Sequence, residues 1–250
     1  MDRNNREIDY AYFNSGLLQT ETWKDSTGTV VNTINHTYNE DNQPLSVSDN
    51  AGEIDWTYDE VGRLATQKDV YGLILTYSWD TADRMTGVSD SLGGTETNVF
   101  DDASRVTSRQ FTSGTTQLRE DWQYNADSEV TLEKRFSDTA GTNLIGQTSL
   151  GYDDGGRVTD INHKTAAGVT IDDFGYQYDQ ADRVTQETST LGPTRNYGYD
   201  NAGEVTSDGS NNWTYDLTGN RTNSGYQTGA ANQLVTAAPM TTPSTTKAPR

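Results

Sequence analysis

Apolar and polar residues alternate along this chain in short stretches, many of which end at an aromatic residue. The most apolar stretch places hydrophobic side chains at every second position, at Leu73, Leu75, Tyr77 and Trp79. A period of two puts these side chains on one face of an extended strand. Apolar residues with the three- and four-residue spacing of an amphipathic helix are almost absent. The pattern therefore predicts an all-β chain built from short strands.

An eight-residue turn unit recurs where these stretches end, and Tyr178–Thr185 (YDQADRVT) is a clear copy. Position one is aromatic, position two is Asp or Asn in nine of ten copies, and position five is Gly, Asn or Asp in eight. Asp or Asn favours a type I turn, and Gly, Asn and Asp tolerate a left-handed backbone. An aliphatic residue and Thr then restart a strand. The unit therefore predicts the tip of a β-hairpin.

Ten copies of the turn unit span most of the chain. Their first residues are Tyr12, Tyr38, Tyr58, Trp79, Phe100, Tyr124, Tyr152, Tyr178, Tyr199 and Tyr215. The copy at Tyr38 carries one extra residue before its leucine. Structural glycines at position five are predicted at Gly62, Gly156, Gly203 and Gly219, and positive φ is expected at the first three. A second aromatic residue precedes position one by two residues in seven copies, and we expect these aromatic pairs to form a core between neighbouring hairpins.

The pattern Tyr-Asp-x-x-Gly-Arg-Leu-Thr, as in Tyr58–Ala65 (YDEVGRLA), recurs at intervals of about 21 residues and resembles the YD repeat of the Rhs family. That family includes bacterial polymorphic toxins, wall-associated proteins and the related shell of animal teneurins. The resemblance covers roughly residues 10–235. It implies tandem β-hairpins in a long twisted sheet that curls into an open spiral or partial shell. It also implies that the chain belongs to a larger protein whose shell encloses or displays an associated, toxin-like polypeptide.

Two other architectures stay open from the repeat alone. Two repeats make about 42 residues, close to one propeller blade, so a propeller of about five blades is an alternative. A β-solenoid is a third possibility. Residues 1–236 are predicted to form the array of about ten hairpins, and residues 237–250, rich in Thr, Pro and Ala, are predicted to be a flexible tail.

The charge of the chain argues against several kinds of partner. It has 37 acidic and 18 basic residues, a net charge of −19, and lacks the basic surface of a nucleic-acid binder. No apolar run is long enough to span a membrane, and MDRNNREIDYAY at the start has no signal-peptide core. The parent protein is nevertheless expected at the cell surface or secreted, because of the family resemblance. Arginines recur at position six, and we expect them to pair across strands with acidic neighbours; they are Arg63, Arg84, Arg105, Arg157 and Arg183.

Residues suited to catalysis are sparse. The chain has no cysteine, and its two histidines, His36 and His163, occupy unlike positions in the pattern. No catalytic, metal or cofactor site is predicted, and we expect a protein that is not an enzyme. Rhs toxins carry an aspartyl self-cleavage site built around Asp-Pro pairs, but none of the five prolines here follows an Asp.

A carbohydrate-binding or adhesion module is the alternative function. Exposed aromatic side chains would stack on sugar rings, and the candidates outside the repeated aromatic positions are Trp23, Tyr71, Phe111, Phe136 and Phe174. A partial shell would also leave strand edges unpaired, so edge-to-edge self-association is expected to be possible.

Overall fold

The structure is a computed structural model, and it describes residues 6–229 and 232–236. These residues form twenty-one β-strands and no α-helix. The prediction of an all-β chain is therefore confirmed. The tail predicted at residues 237–250 lies outside the described residues.

The chain divides into two lobes, and the boundary in sequence falls between Gln147 and Thr148. The strands of the first lobe are β1 (Glu7–Tyr12), β2 (Leu18–Lys24), β3 (Val30–Tyr38), β4 (Pro44–Asp49), β5 (Gly52–Tyr58), β6 (Leu64–Lys68), β7 (Ile74–Trp79), β8 (Met85–Asp90), β9 (Thr95–Phe100), β10 (Val106–Ser113), β11 (Thr116–Tyr124) and β12 (Val130–Phe136). Strand β13 (Leu144–Tyr152) spans the division. The strands of the second lobe are β14 (Val158–Thr165), β15 (Thr170–Tyr178), β16 (Val184–Ser189), β17 (Arg195–Asn196), β18 (Gly198–Tyr199), β19 (Val205–Ser207), β20 (Gln227–Thr228) and β21 (Leu234–Thr236).

Strands that are neighbours in sequence are neighbours in the sheet. In the first lobe each strand from β1 to β11 pairs antiparallel with the next one. In the second lobe β14 to β17 pair in the same way, and β18–β19 and β20–β21 form two small hairpins. A propeller would break this ladder into four-stranded blades. The uninterrupted run from β1 to β12 excludes that alternative and confirms tandem hairpins in one continuous antiparallel sheet.

The turn units are the hairpin tips at one end of these strands. In nine copies the aromatic residue ends one strand and position seven begins the next, as Trp79 ends β7 and Met85 begins β8. The copy at Tyr38 has the same length, because Pro44 stands at position seven and the amide of Asn39 donates to the carbonyl of Gln43, as in the other turns. The extra residue assigned to this copy from its sequence is therefore not an insertion in the turn.

Burial is low throughout the described chain. Phe136, 7% exposed, is the one large apolar residue of the described segments that is buried. Of the ten aromatics at position one, nine are half-buried and Tyr12 is 59% exposed. The aromatic core expected between neighbouring hairpins is therefore only partly buried. Several of these rings contact the preceding turn, as Tyr124 does through its hydrogen bond to Val106.

Candidate functional site

The aspartate at position two closes its own turn. In the copy at Trp79, one carboxylate oxygen of Asp80 accepts hydrogen bonds from the amides of Ala82 (2.8 Å) and Arg84 (3.1 Å). The carbonyl of Asp80 accepts from the amide of Asp83, whose φ is 61°. This geometry needs a short acceptor side chain at position two and a left-handed residue at position five. The positive φ expected at Gly62, Gly156 and Gly203 is also observed.

The arginine at position six binds the aspartate of its own turn. Nε of Arg84 lies 2.7 Å from the second carboxylate oxygen of Asp80. The same contact, at 2.7–2.8 Å, recurs for Arg63, Arg105, Arg157 and Arg183. The sequence-based expectation of acidic partners across strands therefore holds only in part: all five arginines bind the aspartate of their own turn, and Arg63 and Arg157 also bind an acid of the next hairpin, Asp83 and Asp182. Positions two and six are four residues apart around a tight turn, so the aspartate and the arginine of one unit lie close together.

The same guanidinium also reaches the next turn unit along the sheet. Nη1 of Arg84 donates to the carbonyl of Asp101 (3.0 Å) and to the hydroxyl of Ser104 (3.2 Å), and the guanidinium lies 4.8 Å from the ring centroid of Phe100. Hydrogen bonds from a charged donor and a cation–π contact are combined in one side chain. We call this set of contacts an arginine bridge.

Five arginine bridges occur in the described chain. The guanidinium lies 4.5–5.8 Å from the ring of the next unit, and Nη1 lies 2.7–3.4 Å from the carbonyl at position two of that unit. The bridges join Arg63 to Trp79, Arg84 to Phe100, Arg105 to Tyr124, Arg157 to Tyr178 and Arg183 to Tyr199.

The aromatic residue returns a hydrogen bond to the preceding turn. The hydroxyl of Tyr124 donates to the carbonyl of Val106 (2.6 Å), and Nε1 of Trp79 donates to the carbonyl of Leu64 (2.8 Å). The acceptor is always position seven of the preceding unit. Tyr58, Tyr178, Tyr199 and Tyr215 make the same contact at 2.6–2.9 Å. A ring with a polar tip can thus satisfy a strand carbonyl while its face receives a cation.

Most arginine bridges also include the side chain at position five of the next unit. Four of the five arginines hydrogen-bond a side chain there, at 2.7–3.2 Å, and the partners are Asp83, Ser104, Ser128 and Asp182. All four partners have positive φ, which is unfavourable for a residue with a Cβ atom. Gly62 and Gly219 follow units with Gln43 and Glu204 at position six. In these four bridges the hydrogen bond from arginine offsets part of the backbone strain at position five, whereas Gly203 follows Arg183 and needs no such bond.

In two of the five units without arginine, position two is asparagine instead of aspartate. Asn39 donates to Gln43 (2.9 Å), and Asn125 donates to Glu129 (2.6 Å). In these pairs one side chain donates and the other accepts. Asn220 likewise donates to Asp216 (3.1 Å), whereas Asp200 and Glu204 are both acids.

The turn hydrogen bonds and charges shift the pKa values of these acids. Hydrogen bonds from the backbone amide and side chain of Arg105 lower the pKa of Asp101. The side-chain and backbone hydrogen bonds of Arg157 do the same for Asp153. Burial, a hydrogen bond with Asp200, and the negative charges of Asp200 and Asp216 raise the pKa of Glu204.

The residues considered for ligand stacking lie in different environments. Tyr71 is 92% exposed at a loop tip, Trp23 is 41% exposed, and Phe111 is partly exposed. Phe174 is half-buried and its ring meets His163 edge-on. Phe136 is buried, so its ring cannot stack on a ligand without movement. The structure does not bring these five side chains together as one set, although Phe111 and Phe136 line one groove in the first lobe.

The histidines lie within the sheets of their own lobes. Nε2 of His36 lies 3.5 Å from a carboxylate oxygen of Glu21, and Nδ1 of His163 lies 2.9 Å from the hydroxyl of Thr148. In residues 6–229 and 232–236, no three His, Asp or Glu side chains are grouped so that they could hold a metal ion. The same residues contain no helix long and apolar enough to cross a membrane.

Comparison by sequence finds no match, either to a protein-family model or to a curated protein. Comparison of the fold with solved structures finds several matches. The crystal structure of TcdB2-TccC3-Cdc42 matches over 86% of this chain, with a TM-score of 0.55 and 14% identity. The crystal structure of TcdB2-TccC3 matches over 86%, with a TM-score of 0.55 and 15% identity. The structure of the Photorhabdus luminescens Tc holotoxin pore matches over 92%, with a TM-score of 0.57 and 16% identity.

This chain spans 13% of the matched chain in the first two structures and 15% in the third. Identities of 14–16% show a common fold alone. The chain therefore has a fold found in these Tc toxin chains, and its resemblance to the Rhs/YD-repeat family is confirmed at the level of the fold.

Proposed function

We propose that this chain is a non-catalytic structural segment of an Rhs-type β-shell, which encloses or displays an associated polypeptide. The arginine bridges carry the proposal. Each uses one side chain to hold its own turn and the next one, as Arg63 binds Asp59, Asp83 and the ring of Trp79. The arginines at position six and the aspartates at position two therefore have structural partners within and between hairpins.

The comparisons support the toxin association in general terms. The matched chains belong to Tc toxin structures and are several times longer than this one. A segment of 250 residues would then contribute part of a larger wall, and the parent protein would be secreted. The acidic composition agrees with a role that needs no contact with nucleic acid.

Limited proteolysis tests the enclosure. The protein is purified as its host produces it, together with any associated polypeptide, and the lifetime of that polypeptide under protease is measured by mass spectrometry. The combined substitution Arg84→Gln and Arg105→Gln removes two adjacent bridges. We expect the associated polypeptide to be digested at least about tenfold faster in this variant, because the wall opens locally. Lys68→Gln is the control, since Lys68 makes an exposed ion pair with Asp55. Equal lifetimes in all three proteins would contradict the enclosure.

Carbohydrate binding remains a second candidate because of Trp23. Its ring lines a cavity of about 580 Å³ together with Ile8 and Val31, and Arg6 and Asp25 provide polar groups at its wall. An aromatic face beside polar groups suits a sugar ring. Tryptophan fluorescence during titration with oligosaccharides tests this role, and Trp23→Ala should remove a saturable response. A response that survives Trp23→Ala would assign binding elsewhere.

Self-association is the third possibility retained from the sequence. The first strand exposes Ile8, Tyr10 and Tyr12, which offers apolar surface beside a strand edge. Sedimentation at increasing protein concentration tests it. A single species at all concentrations would contradict association.

A further inference from the structure

The turn unit at Tyr38 lacks the arginine that joins other units to their neighbours. Gln43 stands at position six and binds Asn39 within its own turn. Its amide nitrogen reaches the next unit only at the carbonyl of Gly62 (2.7 Å). Because glutamine is shorter than arginine and carries no charge, Gln43 places no cation over the ring of Tyr58.

A cavity of about 680 Å³ opens at this place, between the units that begin at Tyr38 and Tyr58. We call it the Tyr58 cavity, and its walls include Gln43, Tyr58, Asp41, Asp59 and Glu60. Asp59 already binds Arg63, whereas the side chains of Asp41 and Glu60 are exposed at the opening. The wall contains three acidic residues and no basic one.

We call the contact between two successive turn units a joint. In five other joints of this chain, a guanidinium lies beside the position-one ring of the second unit. There the cation lies 4.5–5.8 Å from the ring at position one. Nη1 donates to the carbonyl at position two, and the same carbonyl accepts the backbone hydrogen bond that closes the turn. The carbonyl of Asp101, for example, accepts from Nη1 of Arg84 and from the backbone amide of Ser104. The carbonyl of Asp59 makes the turn contact with Gly62 and has its second lone pair available for the same kind of donor.

A second joint without arginine provides an internal contrast. Leu17 stands at position six of the first unit, and a cavity of about 350 Å³ opens beside Tyr38. Its polar wall consists of the neutral side chains of Asn14, Ser15, Asn39 and Asn42, and the ring of Phe13 meets Tyr38 edge-on at 6.1 Å. That cavity lacks carboxylates, so it does not suit a cation.

We propose that the Tyr58 cavity binds a guanidinium group, supplied by a small molecule or by an arginine side chain of another polypeptide. The ring of Tyr58 takes the flat face of the cation, Asp41 and Glu60 balance its charge, and the carbonyl of Asp59 accepts one of its N–H groups. A planar, forked donor fits this arrangement better than the compact ammonium of lysine. The site does not depend on the proposed shell function.

The test titrates the full chain with L-argininamide and follows backbone amide shifts by NMR, with L-lysinamide as the matched cation. We expect saturable shifts at Asp59 and Gly62 with argininamide and at least about tenfold weaker binding of lysinamide. Gln43→Arg places a tethered guanidinium in the cavity, as in the other joints. It should weaken argininamide binding at least tenfold while the variant keeps the far-UV circular dichroism of the parent chain.

A charge variant separates this site from general attraction to an acidic protein. The pair Asp41→Asn and Glu60→Gln removes two exposed charges at the opening and should weaken binding at least threefold, whereas Asp102→Asn with Asp127→Asn, exposed in other turns, should not. Equal binding by the parent chain and Gln43→Arg would overturn the proposal, and so would the absence of saturable binding to the parent chain.

A peptide titration distinguishes the two sources of the guanidinium, a small molecule and an arginine side chain of another polypeptide. The pentapeptide amide Gly-Gly-Arg-Gly-Gly is titrated in the same way. Binding at least tenfold tighter than that of argininamide would identify an arginine of another polypeptide as the occupant, and equal binding would identify a small guanidinium compound.

Discussion

The guanidinium of Arg157 lies 4.8 Å from the ring centroid of Tyr178, and the hydroxyl of that tyrosine donates to the carbonyl of Val158, the residue directly after the arginine. One ring is therefore bound by two consecutive residues of the preceding turn. The aromatic at position one and the arginine at position six are parts of one contact between successive turns. The loops at the other ends of the strands take no part in it, so their lengths can vary.

Phe100 is the one position-one aromatic in an arginine bridge that has no hydrogen-bond donor. Phe100→Tyr should place a hydroxyl near the carbonyl of Met85, at the position where other tyrosines donate at 2.6–2.8 Å. One added hydrogen bond should increase the free energy of unfolding by about 0.5–1 kcal/mol. Urea denaturation measures the change. Phe136→Tyr is the control, and it should lower stability because Phe136 is buried.

Arg84 should contribute more to stability than an ordinary surface charge. Arg84→Gln removes its hydrogen bonds to Asp80, Asp101 and Ser104 and its contact with Phe100, and should cost about 1–2 kcal/mol. Arg84→Lys should cost nearly as much, since an ammonium cannot make the forked contacts.

Urea denaturation of these variants is compared with that of Lys68→Gln. Lys68 forms an exposed ion pair with Asp55 at 3.2 Å, and its loss should change stability by less than about 0.5 kcal/mol. If Arg84→Gln had an effect as small as that of Lys68→Gln, the bridge would not stabilise the sheet.

Ser104 combines a strained backbone with a bond to the bridge. Its φ is 63° and its hydroxyl binds Arg84. Ser104→Ala keeps the strain and loses the bond, whereas Ser104→Gly loses the bond and relieves the strain. The alanine variant should therefore be less stable than the glycine variant by about 1 kcal/mol. Thermal unfolding in the Arg84→Gln background completes the cycle: Ser104→Gly should become neutral or stabilising there. A glycine variant less stable than the alanine variant would refute the strain argument.

The turn units could be located from the sequence because their signals are local. Asp at position two and a left-handed residue at position five lie within four residues of each other, and both follow from the backbone of the turn. The role of the arginines could not be found in this way. Arg84 contacts a ring 16 residues later, while Arg157 contacts one 21 residues later, so no fixed spacing links the partners. The available signal was the presence of Asp or Ser at position five after four of the five arginines.

The degree of burial could not be predicted for a related reason. Alternation of apolar and polar residues predicts a strand with two faces, but it does not specify whether a second layer covers either face. The rings at Trp79 and Tyr124 are apolar enough for a core, yet they are half-buried and bonded to the preceding turn. The buried Phe136 lies outside the repeated aromatic positions, where the pattern gave no reason to expect it.

Acid should weaken the turns together. Hydrogen bonds from the residues four positions later lower the pKa values of Asp80 and Asp101. A carboxyl with a lowered folded-state pKa stabilises the fold above the unfolded value of about 3.9, and that contribution is lost as the pH falls through the folded-state value. The thermal midpoint should therefore stay nearly constant from pH 7 to about 5 and fall steeply below about pH 4. Asp101→Asn should reduce this slope, and the exposed Asp127→Asn should not. Identical slopes for both would contradict the assignment.

Glu204 should respond to pH in the opposite direction. Glu204 stands at position six, where other units have arginine, and its acidic neighbours are Asp200 in its own turn and Asp216 in the next. The nearby cation of the preceding turn unit, Arg183, binds the backbone carbonyl of Asp200. Burial and these acidic neighbours raise the pKa of Glu204, so its contribution is favourable below the unfolded value of about 4.3 and is lost as the pH rises through the folded-state value. Glu204→Gln should therefore increase hydrogen-exchange protection of β18 and β19 at pH 7 and change it little near pH 4. Glu129→Gln is the control, because Asn125 donates to Glu129 and can donate equally to the amide oxygen of glutamine. The same gain at both pH values, or an equal gain in the control, would show that the paired acids do not weaken this turn.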